Sequence, residues 1–160
     1  MRTPANIAGH PIHPMLVTIP IGLWVFSLVL DLISLGSQTP QLWAEMAYFT
    51  MLGGILGALA AAVPGLLDFL SLPKGAIKKT AVLHMGLNLT IVALYTANAW
   101  LRYIGMPGDS VPIGLSIAAI VMLLASGWLG GKMVFLSGVG VSAAGAQERP
   151  PGVERRATHK

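Results

Sequence analysis

The side chains best suited to chemistry in this sequence are histidines that border long apolar segments. His10 and His13 lie in the sequence His-Pro-Ile-His-Pro directly before the first apolar segment, and His84 lies near the start of the third. Imidazole is the commonest metal ligand in proteins and changes its charge near neutral pH. The fourth histidine, His159, lies in a polar tail where we expect it to be solvated. We therefore take His13 and His84 as the principal candidate ligands and His10 as a weaker one.

Other polar side chains are predicted to lie at the same membrane depth as these histidines. Asp68 comes near the end of the second apolar segment, and Lys132 near the end of the fourth. Asn88 lies one helical turn after His84, on the same face. Ionisable groups within a membrane span cost about 3 kcal/mol or more, so they usually pair, face the bundle interior or take part in function. Asp31, at the far end of the first segment, is expected to be solvated.

Structural roles for these groups remain open beside the functional ones. Lys132 is near enough to the end of its segment to extend its ammonium to the membrane surface. Asp68 can pair with Lys132 or cap the neighbouring basic loop, and Asn88 can link two helices through its amide. We predict no catalytic residues, and an enzyme activity of the chain alone is left undecided.

If the histidines are ligands, two kinds of site are compatible with their spacing. One is a haem b held between His13 and His84 inside a helical bundle. In that site, Asp68 and Asn88 would orient the imidazoles or contact a propionate. The other is a single zinc or iron ion held by His10 or His13 together with His84 and Asp68. In a third possibility the histidines only form hydrogen bonds, in a structural or assembly subunit. The spacing does not choose among the three.

The composition indicates that lipid is the solvent of this chain. Of its 160 residues, 54% are hydrophobic and only 10% are charged, whereas about 25% charged residues is ordinary for a soluble protein. The chain has no cysteine, which excludes disulfides, thiolate metal sites and covalent attachment of a c-type haem. The net charge of +4 resides in loops and the tail, without interleaved aromatic residues, so we predict no binding of nucleic acid.

Four apolar segments have the ~20 residues needed to cross a bilayer. They predict an all-α polytopic membrane protein, a bundle of four transmembrane helices in one domain over residues 1–140, with spans at about 14–35, 44–70, 80–103 and 111–135. Pro20 should kink the first helix, because it lacks an N–H group. Small residues spaced as GxxxG in the second span favour packing within the chain, although a homo-oligomer is possible. Residues 141–160 are small, polar and rich in proline, and we expect a disordered tail.

The distribution of basic residues predicts the orientation. Lys74, Lys78 and Lys79 lie between the second and third spans, on the same side as both termini, whereas the opposite side has only Arg102. The positive-inside rule therefore predicts cytoplasmic termini in a bacterial inner membrane. His13 and His84 are each followed three residues later by leucine and then by Thr-Ile. This similarity suggests two helical hairpins that run in parallel through the membrane.

Several sequence blocks resemble those of a known family. They are Gly9–Gly22 with its HPxHP motif, Pro64–Asp68, His84–Asn88, Gly130–Phe135 and Gly138–Val141. In this order they are similar to the DUF2231-type family, bacterial membrane proteins of unknown function with four helices. The resemblance covers about residues 8–141 and implies that fold without an established activity. Some members of this family are joined to cytochrome c or Rieske-type modules, and this resemblance favours haem binding and electron transfer. This chain has no such module, so a redox role would need a separate partner protein.

Overall fold

The chain folds into long helices that pack as a four-membered bundle, in a computed structural model that describes residues 3–105 and 110–141. The helices are α1 (Ile12–Leu16), α2 (Thr18–Ser34), α3 (Pro40–Ser71), α4 (Ala76–Tyr103) and α5 (Ser110–Gly131), which continues as a π-helical segment, Lys132–Leu136. Helices α1 and α2 together form one span, α3 and α4 form one each, and α5 with its π-helical segment forms the fourth. These four spans of the described residues are long and apolar enough to cross a membrane. The predicted all-α fold with four spans is confirmed. The predicted tail lies outside the described residues except for Val141, and so does His159.

The first span is interrupted where its sequence predicts a kink. Pro20 has no N–H group, so the carbonyl of Leu16 receives no helical hydrogen bond from it. Helix α1 ends at Leu16, and α2 begins after the single intervening residue Val17. The N–H of Val17 donates to the carbonyl of His13 at 3.1 Å, which carries the chain directly into α2. The break therefore separates the short histidine-bearing turn from the long helix that follows.

The four long helices are arranged in a ring in the order α2, α3, α4 and α5, so that each one packs against two neighbours. Helix α2 packs mainly against α3, and α4 mainly against α5, while α3 also contacts α4 and α2 contacts α5. Helices α2 and α4 are therefore diagonal to each other. Glycines let α3 approach α2 closely: a Cβ atom at Gly53 would lie 3.2 Å from Leu23, and one at Gly54 would overlap the ring of Trp24. The small residues of α3 thus serve packing within the chain.

A short hairpin precedes the bundle. Strands β1 (Asn6–Ile7) and β2 (His10–Pro11) pair in antiparallel register. Both residues of the connecting loop have positive φ angles, 50° at Ala8 and 83° at Gly9. Two positive φ angles in a two-residue loop are typical of a type I′ turn, whose twist matches that of the flanking strands. Ala5, just before the hairpin, is only 6% exposed, so this N-terminal segment packs onto the bundle.

Three pairs of side chains face each other between α1–α2 and α4, and we call them the axial pairs. They are His13 with His84, Trp24 with Tyr95, and Asp31 with Arg102. The two members of every pair are 71 positions apart in the sequence. The pairs follow one another along the bundle, which has a histidine end, defined by the first pair, and an ion-pair end, defined by the last.

The hydrogen bonds inside the two halves of the chain repeat as well. Side chains of α1–α2 reach carbonyls of α3, and side chains of α4 reach carbonyls of α5, in the combinations His13 to Ala61, Ser27 to Ala47, His84 to Ser126 and Asn98 to Pro112. Equivalent side chains are 71 positions apart, and equivalent carbonyls are 65 positions apart. These repeated contacts are those expected of two helical hairpins related by a pseudo-two-fold axis along the bundle, and they agree with the predicted parallel repeat.

Candidate functional site

The structure brings His13 and His84 together at the histidine end of the bundle. The centres of the two imidazole rings are 6.4 Å apart, and the ring planes are nearly perpendicular, at 89°. His13 belongs to α1 and His84 to the third turn of α4, and both side chains are half-buried. Two residues that are far apart in the sequence thus form one site inside the bundle.

A backbone carbonyl fixes each ring through its Nδ1 atom. His13 Nδ1 lies 2.8 Å from the carbonyl oxygen of Ala61, and His84 Nδ1 lies 3.0 Å from that of Ser126. A carbonyl oxygen can only accept a hydrogen bond, so Nδ1 carries the proton in both rings. The Nε2 atom of each ring therefore holds the lone pair that is available to a ligand.

Two glycines make room for these rings and were not recognised as site residues from the sequence. A Cβ atom at Gly65 would lie 2.7 Å from His13 Nδ1, and one at Gly130 would lie 3.3 Å from His84 Cε1. Each glycine follows the carbonyl that holds the same ring by four residues, which is one helical turn. A side chain at either position would push the imidazole away from its carbonyl.

Asn88 positions His84 and its neighbour Ser126. The amide nitrogen Nδ2 lies 2.8 Å from the carbonyl oxygen of His84, 2.8 Å from Ser126 Oγ and 3.1 Å from His84 Nε2. An amide group has two hydrogens, so it cannot satisfy all three acceptors at once. The two shorter bonds leave His84 Nε2 as the weakest of the three contacts. Asn88 therefore links His84, through its backbone carbonyl and its Nε2 atom, to Ser126 of α5.

Asp68 binds the N-terminal segment. Its Oδ1 atom accepts a hydrogen bond of 2.9 Å from the backbone N–H of Ala5. The suggested ion pair of Asp68 with Lys132 does not form, because the one salt bridge within residues 3–105 and 110–141 lies elsewhere. Asp68 thus holds the hairpin segment against the histidine end.

His10 stays apart from the histidine pair. Its side chain is exposed, and its Nδ1 atom lies 3.2 Å from the carbonyl oxygen of Ala8, within the same hairpin. Among the described residues, no three histidine, aspartate or glutamate side chains are arranged to hold one metal ion. The structure thus assembles His13 and His84, with Asn88 beside them, and does not assemble the larger ligand set that includes His10 and Asp68.

The ion-pair end contains a polar network that the sequence interpretation missed. Asp31 is only 2% exposed, and its two carboxylate oxygens accept hydrogen bonds of 2.8 and 2.7 Å from the two terminal nitrogens of Arg102. The Nε atom of Arg102 donates to Asn98 Oδ1 at 3.0 Å. The expectation that Asp31 is solvated is wrong, because Arg102 reaches across the bundle and neutralises it. The spacing of 71 residues between the two histidines, continued along both helices, would have indicated this pair.

The middle of the bundle is occupied by the aromatic axial pair. Trp24 and Tyr95 stack with ring centres 4.4 Å apart and planes inclined by 10°. Their polar atoms, Trp24 Nε1 and Tyr95 Oη, are buried and have no hydrogen-bond partner among the residues that the structure describes. Burial of both rings at the centre, at 2% and 0% exposure, makes Trp24 a packing residue rather than part of an interfacial belt.

Comparisons with known proteins place the chain in a family without an assigned activity. No curated protein and no solved structure matches it. The family profile described as "Predicted membrane protein (DUF2231)" matches residues 9–143, which include the whole histidine site and all four spans. This chain, a membrane protein, therefore belongs to the DUF2231 family.

Proposed function

We propose that this protein is a small membrane redox protein in which His13 and His84 bind one haem iron from opposite sides. The observation that carries the proposal is the separation of 6.4 Å between the centres of the two imidazole rings. Fixed Nδ1 protons on both rings support it, because metal-binding histidines usually donate this proton to a backbone carbonyl or carboxylate.

The separation of the rings discriminates between ligand geometries. With a metal–nitrogen bond of about 2.0–2.1 Å, the centre of an imidazole ring lies roughly 3.1 Å from the metal. Two rings on opposite sides of the metal are then about 6.2 Å apart, whereas two ligands of a tetrahedral ion are only about 5 Å apart. The observed 6.4 Å is close to the separation expected if His13 and His84 were to hold one iron between them.

The residues around the pair suit this role. Ala61 and Ser126, whose carbonyls hold the rings, are small residues at 2% and 1% exposure, and Gly65 and Gly130 lie one turn further along. The small residues on α3 and α5 let both imidazole rings lie close to these helices. A haem iron would supply reversible one-electron transfer, and this chain would fix the imidazoles through the carbonyls of Ala61 and Ser126. The electron would pass to or from a separate redox partner protein.

A second candidate is a single metal ion without a macrocycle. It is favoured by the close approach of Gly65 and Gly130 to the imidazole rings, which leaves little free volume beside them. The two imidazoles would then bind a single zinc or iron ion, with Asn88 beside His84.

The proposed location is the bacterial inner membrane with both termini in the cytoplasm. Lys74 and Lys79 are exposed at the histidine end, whereas Arg102 at the other end is held inward by Asp31. The exposed basic charge is therefore more one-sided than the sequence count suggests, which strengthens the positive-inside argument. A reporter fused at Gly75 should be cytoplasmic; a periplasmic result would reverse this orientation.

The experiment that tests the function is a visible spectrum with metal analysis of the full chain, purified in mild detergent. A Soret band that is lost in His13→Ala and in His84→Ala supports the haem proposal. His10→Ala is the matched control, because this exposed histidine lies outside the pair, and it should keep the band. Stoichiometric metal without a Soret band supports the second candidate. A colourless, metal-free protein overturns both and leaves a structural or assembly role.

A further inference from the structure

A cavity of about 320 Å³ lies at the ion-pair end, far from the histidines. Its walls combine aromatic, aliphatic and polar side chains, including Tyr48, Tyr103, Ile113, Gln41 and Glu45, and the ion pair of Arg102 and Asp31 also lines it. Small-molecule sites usually measure about 300–1,000 Å³, so this cavity has room for one ring-sized molecule.

Arg102 offers this cavity hydrogen-bond donors in a fixed position. A guanidinium group has five N–H bonds. Three of those on Arg102 are used, two by Asp31 and one by Asn98, and the other two have no partner in the described part of the chain. Both carboxylate oxygens of Asp31 accept hydrogen bonds from the guanidinium group of Arg102. This bidentate contact fixes the orientation of the guanidinium group before any ligand binds. A ligand oxygen that accepts a hydrogen bond therefore has a preorganised partner.

The charges of the cavity select against anions. Asp31 already compensates the positive charge of Arg102. Glu45 is exposed towards the same space, and no salt bridge involves it among residues 3–105 and 110–141. The site consequently carries one uncompensated negative charge, which repels anionic ligands and provides an acceptor for a hydroxyl group. The best ligand is uncharged, with an acceptor oxygen at one position and a hydroxyl at another.

We propose that this cavity binds the head group of a membrane quinone and of its quinol. A flat ring can pack against Tyr48 and Tyr103, a quinone carbonyl can accept from Arg102, and a quinol hydroxyl can donate to Glu45. Such a ligand arrives from the bilayer, and the cavity lies beside Trp100 and Tyr103, which are 61% and 73% exposed as is typical of a membrane interface. The inference extends the proposed redox function by naming a substrate class, but the binding itself does not depend on haem.

The test uses the full chain in lipid nanodiscs, titrated with a ubiquinone analogue that has a decyl tail, and separately with its quinol. Calorimetry with empty nanodiscs as the blank separates binding from partition into lipid. We expect one saturable site. Arg102→Lys should weaken quinone binding by about tenfold or more, because a hydrogen bond to a charged group contributes about 1.5–3 kcal/mol. Glu45→Gln should weaken binding of the quinol more than that of the quinone.

Two further variants keep the test decisive if Arg102→Lys unfolds the protein. Tyr103→Ala removes an exposed wall of the cavity without opening the core, and it should weaken both ligands. Lys79→Gln removes an exposed charge at the histidine end and should bind both ligands as the parent does. Absence of saturable binding, or equal binding by Tyr103→Ala, Glu45→Gln and the parent, overturns the proposal.

Competition separates the quinone site from a site for cations and from the haem proposal. If tetraethylammonium displaces the quinone analogue at lower concentration than the analogue itself binds, the cavity is a cation site and the proposal is wrong. The double variant His13→Ala/His84→Ala should bind the quinone analogue with unchanged affinity. In the unsubstituted protein, quinone binding without a Soret band would reject the haem and keep the quinone, and a Soret band without quinone binding would do the opposite.

Discussion

The buried ion pair of Asp31 and Arg102 makes a quantitative prediction about stability. We consider Asp31→Leu, Arg102→Met and the double variant, which replace the charged groups by apolar side chains of similar length. Each single change leaves one charged group without its partner in the bundle interior, where Asp31 is 2% exposed and the side chain of Arg102 is 13% exposed. Removal of one partner from such a pair costs about 3–5 kcal/mol of the free energy of unfolding. Arg102→Met additionally deprives Asn98 of a donor.

The double variant should be much more stable than the sum of the single changes predicts. With both charges gone, no group is left uncompensated, and replacement of a buried pair by apolar residues is often close to neutral. Unfolding by sodium dodecyl sulfate in mixed micelles, followed by tryptophan fluorescence, measures the free energies for this double-mutant cycle. Lys79→Gln provides the baseline, because exposed substitutions usually change stability by no more than about 0.5 kcal/mol.

The prediction is wrong if each single variant loses less than about 1 kcal/mol of the free energy of unfolding. Losses that small are typical of exposed salt bridges. That result would mean that water reaches the pair and that its burial contributes little. Additive losses in the double variant would be equally damaging, since they would show that the two side chains act independently.

Two more predictions concern the histidine end. Gly65→Ala places a Cβ atom 2.7 Å from His13 Nδ1, so it should destabilise the protein by about 1–3 kcal/mol and reduce occupancy of the histidine site. Gly86→Ala is its control in thermal unfolding, because nothing lies within 4 Å of that Cβ, and equal effects of the two changes would contradict the packing argument. Asp68→Ala removes the acceptor of the Ala5 N–H, so amide exchange there should rise about tenfold or more, and an unchanged rate would show that the segment is held by other contacts.

The fold could be predicted from the sequence because each apolar segment that is long enough to cross a bilayer must form a transmembrane helix. Four runs of sufficient length have few topological alternatives, and their backbone groups must be satisfied within helices. The break after Leu16 was also predictable, since Pro20 cannot donate the hydrogen bond that would continue the helix. Both features depend on local properties of the chain.

The sites were only partly predictable, because their contacts join distant parts of the chain. The meeting of His13 and His84 followed from equal depth in two parallel spans, but depth alone placed Asp68 beside them as well. Its carboxylate instead meets the N–H of Ala5, a backbone group that carries no signal in the sequence. Asp31 was misjudged for a related reason. Its position close to the end of the first helix suggested that the carboxylate is solvated, because its partner Arg102 lies 71 residues away in the sequence.

The pseudo-two-fold axis explains why the axial pairs differ in character. A residue beside such an axis faces its own counterpart from the other half, so an exact repeat would bury two carboxylates or two guanidinium groups at the ion-pair end. Two like charges there would repel each other at short range in a medium of low dielectric. Aspartate in one half and arginine in the other remove this conflict, and both side chains keep their equivalent positions.

At the histidine end the same geometry has the opposite consequence. Neutral imidazoles can face each other without repulsion, and His13 and His84 are the one axial pair in which both halves supply the same residue. Both rings are also held in the same way, by a carbonyl and a glycine one turn apart. A ligand bound from two opposite sides would require two equal donors, and the two halves of the chain supply them as His13 and His84. A purely structural contact has no such requirement, as the stacked Trp24 and Tyr95 show.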